Sequence, residues 1–230
     1  MFESRSVYDK LRKIIGEKNS RLCFSADIDN PVRVIEILTL IGQHIAICKI
    51  HFDIFIFTKE HTAEWFKKEI KSLSKTLNFL IMEDRKFFDI SYIVEKQFAN
   101  FDGWVDLVTV HGLVNDSVLK KINAGVLLVS SMSNNTYDIT DKCIELYNNN
   151  NNVVGFITQK KISNIMCFTP GIGFKDSTDD DQRYRNISNI NHKDMPDIII
   201  VGRAIYNSSN LLQTVIDMNY QINFTSLIQL

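Results

Sequence analysis

The chain has 230 residues, of which 45% are hydrophobic and 23% are charged. Its 26 lysines and arginines nearly balance its 27 aspartates and glutamates, which gives a formal net charge of −1. This balance excludes an overall electrostatic preference for nucleic acid or for an anionic membrane, so any anion must be captured locally. Length and composition are typical of one ordinary globular domain.

The N-terminal residues and the cysteines bear on where the protein works. Residues 1–20 are amphipathic and charged where a secretory signal would be uninterruptedly apolar, and no later segment approaches the roughly 20 apolar residues of a membrane span. Cys23, Cys48, Cys143 and Cys167 form no close pair of the kind that binds zinc. We therefore expect buried, reduced thiols in a soluble, cytoplasmic protein.

Short apolar runs recur along the chain and alternate with helical patterns. An N-terminal helical segment at about residues 1–20 precedes the first run, and the clearest helix is predicted at residues 59–77. Runs that are apolar on both faces are typical of parallel strands covered by helices. Eight runs are predicted strands: residues 22–27, 45–50, 79–84, 105–110, 125–130, 153–157, 165–170 and 197–202.

The number of predicted strands indicates the fold. Eight strands alternating with helices in one domain favour an α/β protein of the (β/α)8 TIM-barrel type, and a doubly wound open sheet is the alternative. We expect one barrel domain over residues 1–230. The interval between the sixth and seventh strands is too short for a normal helix, which is the weakest point of the barrel prediction.

A charge cluster follows the third predicted strand. The segment EDRKFFDI, at residues 83–90, places Asp84, Lys86 and Asp89 within six residues. Alternate residues of a strand share a face, so Asp84 and Lys86 are predicted to point the same way, and Asp89 to join them where the chain turns. A solvated surface ion pair is the alternative interpretation.

Polar residues also stand at or just beyond the C-terminal ends of most of the other predicted strands, where the active site of a barrel lies. They are Asp27, Lys49, His51, His111, Ser131, Ser133, the TPGIG turn that includes Pro170, Gly202 and Arg203. The segment VGRAIY has the composition of a phosphate-binding turn, since glycine allows close approach and arginine supplies donors. In the polar segment at residues 175–186, we expect Asp179 to Asp181 to face solvent and Gln182, Tyr184 or Arg185 to face inward.

The two strand-end histidines suggest a metal ion or a general base at first sight. Neither His51 nor His111 has a carboxylate or second histidine at the usual ligand spacing, so we predict structural hydrogen bonds for both and no metal site. A serine or cysteine nucleophile is not indicated either, because neither residue occurs in a nucleophile-elbow context.

Five segments resemble, in order and approximate spacing, the signatures of the orotidine 5′-phosphate decarboxylase family. They are CKIHFDIF, FLIMEDRKFFDI, FTPGIGF, DQRYR and DIIIVGRAIY. The resemblance implies a homodimeric (β/α)8 barrel that converts orotidine 5′-monophosphate to uridine 5′-monophosphate and carbon dioxide, in pyrimidine biosynthesis, without metal or organic cofactor. These two nucleotides would be its small-molecule partners.

The resemblance also implies roles for individual residues. Lys49, Asp84, Lys86 and Asp89 would form the catalytic charged array, with Lys86 protonating C6 of the pyrimidine and Asp89 reaching into the partner subunit's site. Asp27 and Lys49 would contact the ribose. The remaining substrate-binding residues would be Ser133 at the pyrimidine edge, Pro170 in the TPG turn, and Gln182, Tyr184, Gly202 and Arg203 at the phosphate.

Some positions depart from the family pattern. Ser91, Tyr92 and Ile93 stand where the family usually has Gly, Asn and Thr, and Ile93 cannot hydrogen-bond to ribose as that threonine does. Asp181 replaces a usual glycine, and Ser131 a usual glutamate. A lost hydrogen bond costs about 1 kcal/mol, so we expect weaker substrate binding and retained activity.

Two other functions remain open from the sequence. One is a magnesium-dependent decarboxylase or aldolase-like enzyme of the same superfamily that acts on a sugar phosphate. The other is a catalytically silent nucleotide-binding homologue, which the departures at Ile93 and Asp181 suggest.

Overall fold

The computed structural model describes residues 4–133, 137–174, 177–179 and 182–227. Eight parallel strands close into a barrel: β1 (Leu22–Ser25), β2 (Ile47–Ile50), β3 (Leu80–Phe87), β4 (Leu107–His111), β5 (Gly125–Val129), β6 (Val153–Ile157), β7 (Met166–Pro170) and β11 (Ile198–Val201). They follow one another around the barrel in chain order, and β11 closes against β1. Every predicted strand overlaps one of them, so the barrel prediction is confirmed and the open sheet is wrong.

Eight α-helices accompany these strands within the described ranges: α1 (Ser4–Lys18), α2 (Pro31–Ile41), α3 (Ala63–Leu77), α4 (Ser91–Phe98), α5 (Asp116–Leu119), α6 (Thr140–Asn149), α7 (Arg203–Tyr206) and α8 (Leu211–Leu227). The helix predicted at residues 59–77 begins at Ala63, because the Thr62 side chain accepts from the Trp65 N–H and caps it there. As the spacing suggested, residues 158–165 connect β6 to β7 without a helix. None of the helices described here is long and apolar enough to cross a membrane.

Two hydrophobic layers hold the barrel together. The outer layer lies between the strands and the helices and includes Phe24 and Ile81, both essentially inaccessible. The inner layer contains Leu80 and Met82 and also Leu11 of α1, which packs against residues at the start of the strands. The N-terminal end of the barrel is therefore sealed by α1, and the opposite end remains for a site.

A small second sheet follows β7. It consists of β8 (Ile172–Gly173), β9 (Ser177–Asp179) and β10 (Gln182–Asn186), in the order β8-β10-β9. This sheet lies in the polar segment expected to cover the site. The sequence predicts that Asp179 to Asp181 face solvent. Asp181 and the residue before it lie outside the described residues, as does the side chain of Asp179, so this prediction stays a prediction.

Candidate active site

A cavity of about 240 Å³ opens where the barrel strands end. It is lined by Ser25, Asp27, Lys49, His51, Asp84, Lys86, Met132, Ser133, Ile157, Pro170, Gly171, Tyr184, Ile200, Gly202 and Arg203. Nine of the eleven residues predicted to catalyse or bind substrate are therefore brought together. Asp89 is not among the lining residues, and the Gln182 side chain lies outside the described part of the chain.

The centre of the cavity wall is a chain of alternating charges. The Lys49 ammonium lies 3.1 Å from Asp27 Oδ1 and 3.0 Å from Asp84 Oδ2. The Lys86 ammonium lies 2.8 Å from the same oxygen of Asp84. The exposed side-chain fractions are 7% for Lys49, 11% for Asp84 and 34% for Lys86, so Lys86 is the more accessible of the two lysines.

Burial and mutual attraction together determine the charge states of Lys49 and Asp84. Burial alone would raise the pKa of Asp84, but the ammonium groups of Lys49 and Lys86 hold that pKa well below its usual range. Burial alone would lower the pKa of Lys49, but the carboxylates of Asp84 and Asp27 raise it above its ordinary value. Lys49 and Asp84 are therefore both ionised at neutral pH.

The ion pair between Asp84 and Lys86 forms across an irregular part of β3. The sequence alone predicts a regular strand, in which alternate side chains share a face. The β3–β4 register shifts between Glu83 and Phe87, and Lys86 has a φ of +52°, in the left-handed region. A non-glycine residue in this conformation costs about 1–3 kcal/mol and is found where surrounding contacts enforce it. Here Thr109 Oγ1 accepts from the Lys86 N–H at 2.8 Å, which holds the distorted backbone.

His51 has a place that the sequence interpretation missed. Its Nε2 lies 2.9 Å from Lys49 Nζ and 3.4 Å from Asp84 Oδ2, so His51 makes a hydrogen bond, as expected, but its partner is a lysine of the charged cavity wall. Burial and then the Lys49 ammonium lower the pKa of His51, which leaves the ring neutral and its Nε2 an acceptor for Lys49. The signal was available, because His51 follows Lys49 by two residues at a strand end.

His111, by contrast, makes structural contacts. Its Nδ1 accepts from the Leu113 N–H at 3.3 Å, and its ring stacks against Tyr137 at a centroid distance of 5.9 Å. The Phe88 ring lies on it at 4.6 Å. These contacts agree with the predicted structural role.

Asp89 does not join the charge chain of its own subunit. Its side chain is exposed and accepts from the Ile90 N–H at 2.7 Å. Around it are large apolar side chains that are unusually exposed: 62% for Phe88, 67% for Ile90 and 61% for Tyr92. Tyr92 is one of the three departures from the family pattern, and it lies in the first turn of α4.

The other end of the cavity contains the predicted phosphate-binding residues. The Arg203 guanidinium lies 5.7 Å from the centroid of the Tyr184 ring, within cation–π distance. A Cβ atom at Gly202 would lie 3.1 Å from the Ser25 carbonyl oxygen and 3.3 Å from Asp27 Oδ2, so glycine permits close packing against the end of β1. The Gln182 side chain is outside the described set.

Several contacts near the cavity were not predicted. Ser25 donates to Asp27 at 2.8 Å, and Ser131 Oγ accepts from the Gln159 N–H at 3.0 Å. Arg185, one of three residues expected to face inward, is exposed and donates to Gln159 Oε1 at 3.4 Å. These residues are ordinary serine, glutamine and arginine in sequence, and only the fold gives them their partners.

Comparison with known proteins assigns the chain to a family. The model of the Orotidine 5′-phosphate decarboxylase / HUMPS family matches residues 20–217. The chain belongs to this family. It is 31% identical over 226 residues to the orotidine 5′-phosphate decarboxylase of Pichia kudriavzevii, with 87% of this chain and 85% of that protein covered.

A larger relative and two solved structures extend the comparison. The chain is 31% identical to uridine 5′-monophosphate synthase of Bos taurus, matching over 90% of its own length but only 46% of that protein. Orotidine 5′-monophosphate decarboxylase of Methanocaldococcus jannaschii, solved with the inhibitor BMP, superposes with a TM-score of 0.69 at 22% identity, covering 89% of this chain and 99% of that one. Leishmania donovani UMP synthase gives 0.74 at 14% identity, covering 96% and 56%. At these identities the two structures support the fold alone.

Proposed function

We propose that this chain decarboxylates orotidine 5′-monophosphate to uridine 5′-monophosphate, as a carboxy-lyase of pyrimidine biosynthesis that needs no cofactor. Membership of the family and the names of its relatives support this reaction. The observation that carries it is the run of alternating charges formed by Lys49, Asp84 and Lys86 in the wall of the cavity.

The reaction explains why such a chain is useful. Loss of carbon dioxide from C6 leaves a carbanion in the plane of the pyrimidine ring, where the π system cannot absorb the charge. Opposite unit charges 4 Å apart attract by about 4 kcal/mol at an effective dielectric constant near 20. In the proposed mechanism the Lys86 ammonium stabilises the carbanion and then transfers a proton to C6. Asp84 and Thr109 hold that lysine in place beforehand, so little reorganisation is needed.

Asp84 has a second proposed part in the reaction. Because Lys49 and Lys86 keep its pKa low, Asp84 is ionised when the substrate binds. The substrate carboxylate would lie beside this charge and be repelled by it, and departure of carbon dioxide relieves the repulsion. Binding of the phosphate and ribose supplies the energy that holds the pyrimidine there.

The proposed substrate contacts divide the cavity into three parts. Asp27 and Lys49 would bind the ribose hydroxyls, and Ser133 the pyrimidine edge. The phosphate would bind to Tyr184, Gly202 and Arg203, with Gln182 from the same strand as Tyr184 and Pro170 in the turn beside them. These assignments are supported for the residues that line the cavity, because all of those residues surround the same space.

We propose a homodimer with shared active sites, each subunit being one barrel domain. The exposed apolar side chains of Phe88, Ile90 and Tyr92 surround Asp89, which supports a partner surface at this position. Covering that surface would carry Asp89 toward the partner subunit's cavity. A cytoplasmic location belongs to the same proposal and fits the four buried free thiols, since reduced cysteines suit a reducing compartment.

An assay separates this function from the two alternatives. The protein is expected to consume orotidine 5′-monophosphate, followed by its absorbance, and to release uridine 5′-monophosphate equally well with and without a chelator. Loss of activity on chelation would favour the magnesium-dependent sugar-phosphate enzyme. Tight binding of uridine 5′-monophosphate without turnover would identify a silent homologue and overturn the proposal.

A further inference from the structure

Glu83 is a buried carboxyl group that the proposed reaction does not use. It precedes Asp84 in β3 and points to the opposite side of the strand, with an exposed fraction of 0%. Its Oε2 accepts from the Phe52 N–H at 3.0 Å. Its Oε1 is buried and has no hydrogen-bond partner among the residues that the structure describes. A buried polar atom without a partner is costly and calls for an explanation.

The Glu83 side chain extends the pairing of two barrel strands. Ile50, the last residue of β2, is the register partner of Glu83 in β3. Beyond Ile50 the main chain leaves the sheet, and the Phe52 N–H donates a hydrogen bond to the Glu83 side chain. His51 lies between these two fixed points. The carboxyl group therefore defines the path of the turn that brings His51 Nε2 to within 2.9 Å of Lys49 Nζ.

The Phe52 ring is held as firmly as its N–H group. It packs against Trp104 and Phe57 at centroid distances of 5.3 Å in each case, and against Phe101 at 6.0 Å. Trp104 is 8% exposed and Phe101 is 6% exposed. This aromatic packing leaves the turn little freedom to follow a charged Glu83 toward solvent.

Burial, together with the nearby carboxylates, favours the neutral form of Glu83. Burial raises the pKa of Glu83 to about 8, opposed by the Phe52 hydrogen bond and by Lys49, and reinforced by Asp53 and Asp84. Lys49 is already engaged by Asp27 and Asp84. No ammonium or guanidinium group in the described part of the chain forms an ion pair with Glu83.

The cations of neighbouring elements are also committed elsewhere. Arg85 of β3 pairs with Asp53 at 2.7 Å, which screens that carboxylate. Lys67 of α3 pairs with Glu64 at 2.9 Å and lies 5.6 Å from the centroid of the Phe52 ring, on the helix side of the turn.

We propose that Glu83 is a positioning residue that works in its neutral, protonated form, holding the turn after β2 so that His51 stays against Lys49. Protonation removes the unpaired buried charge and keeps the acceptor for Phe52 N–H. Ionisation places a second carboxylate next to Asp84 and loosens the turn. The effect on catalysis rests on the proposed decarboxylase function; the protonation itself does not.

Thermal unfolding tests the protonation without any substrate. Glu83→Gln keeps the shape and the acceptor but cannot ionise, and Glu145→Gln on the surface is the matched control. The unfolded state loses the Glu83 proton near pH 4.3, whereas the folded state keeps it until about pH 8, so wild-type stability falls over this interval. The Tm of Glu83→Gln relative to wild type should therefore rise by about 5 °C or more between pH 5 and pH 8. Parallel Tm curves would overturn the proposal.

Activity tests the positioning role. Glu83→Gln should keep kcat/KM within about threefold of wild type at pH 7 and should retain it above pH 8, where wild type declines. Glu83→Leu, which has no acceptor for Phe52 N–H, should lose about tenfold at pH 7. Equal losses in both variants, or identical pH profiles of wild type and Glu83→Gln, would contradict it. If Glu83→Leu does not fold, or if wild type proves inactive on orotidine 5′-monophosphate, the Tm comparison still decides whether Glu83 is protonated.

Discussion

The Thr109 hydroxyl donates a hydrogen bond of 2.8 Å to Asp84 Oδ1. Thr109 Oγ1 also accepts from the Lys86 N–H, again at 2.8 Å, so one side chain of β4 joins both members of the central ion pair. Thr109 is completely buried and cannot exchange these partners for water. This bridge allows β3 to leave regular strand geometry at Lys86 without disordering the charged groups.

Replacing Thr109 by valine tests that bridge. Thr109→Val keeps the shape but removes the donor to Asp84 and the acceptor for Lys86, which should cost about 1–3 kcal/mol of unfolding free energy. We expect kcat to fall about tenfold or more, because misplacement of a preorganised group by a fraction of an ångström weakens transition-state stabilisation. Thr109→Ser retains the hydroxyl and should stay near wild type. Full activity in Thr109→Val would show that the bridge is dispensable.

Lys49 is expected to matter for stability as well as for binding. Lys49→Ala leaves the mostly buried Asp84 with one cation instead of two and leaves Asp27 without its ammonium partner. Breaking a buried pair by removing one member costs about 3–5 kcal/mol. Urea unfolding at pH 7 measures this loss, with Lys142→Ala as a surface control that should change stability by less than about 1 kcal/mol. A loss as small as the control's would mean that the pair is not buried in solution.

The neutral state of His51 predicts a dependence of stability on pH. The folded state holds the pKa of His51 below its ordinary value of 6.5, so the unfolded chain takes up a proton first as the pH falls below 6.5. This group therefore favours folding above pH 6.5 and loses that contribution as the pH decreases. Between pH 7.5 and pH 5 the Tm of wild type should fall relative to His51→Gln by about 2 °C or more. A constant difference would mean that folding leaves the pKa of His51 unchanged, and a relative rise in the wild-type Tm would mean that His51 is protonated in the folded state.

Shared active sites can be tested by mixing two inactive variants. Lys86→Ala removes the proposed proton donor, and Asp89→Ala removes the residue proposed to cross to the partner. Exchange of subunits gives heterodimers in which one site has both residues intact, so activity should return to roughly a quarter of wild type. Adding Ile90→Asp to both variants places charges in the apolar surface and should prevent recovery. Mixtures that stay inactive although subunits exchange would refute sharing.

Much of the fold could be predicted because its signal is local. The eight apolar strands, the helix ending at Leu77 and the polar strand ends all follow from side-chain periodicity, which needs only neighbouring residues. The grouping of Lys49, Asp84 and Gly202 followed from the barrel topology, since all parallel strands end on the same side.

The missed features depend on contacts between distant segments. Thr109 is an unremarkable residue inside β4 until β3 brings Asp84 beside it, and the left-handed φ of Lys86 arises from the register shift between these strands. The charge state of His51 depends first on burial, which only the folded barrel provides, and then on the nearby Lys49. None of these properties has a pattern in sequence that periodicity or motif spacing would reveal.

The most direct test of the account compares wild type with Lys86→Ala on orotidine 5′-monophosphate. We predict rapid decarboxylation by wild type and a decrease in kcat of about a thousandfold or more in Lys86→Ala, with binding of uridine 5′-monophosphate retained to show that the cavity is intact. A Lys86→Ala protein that turns over substrate at the wild-type rate, or a wild-type protein that binds the nucleotide and releases no carbon dioxide, would contradict the proposed function.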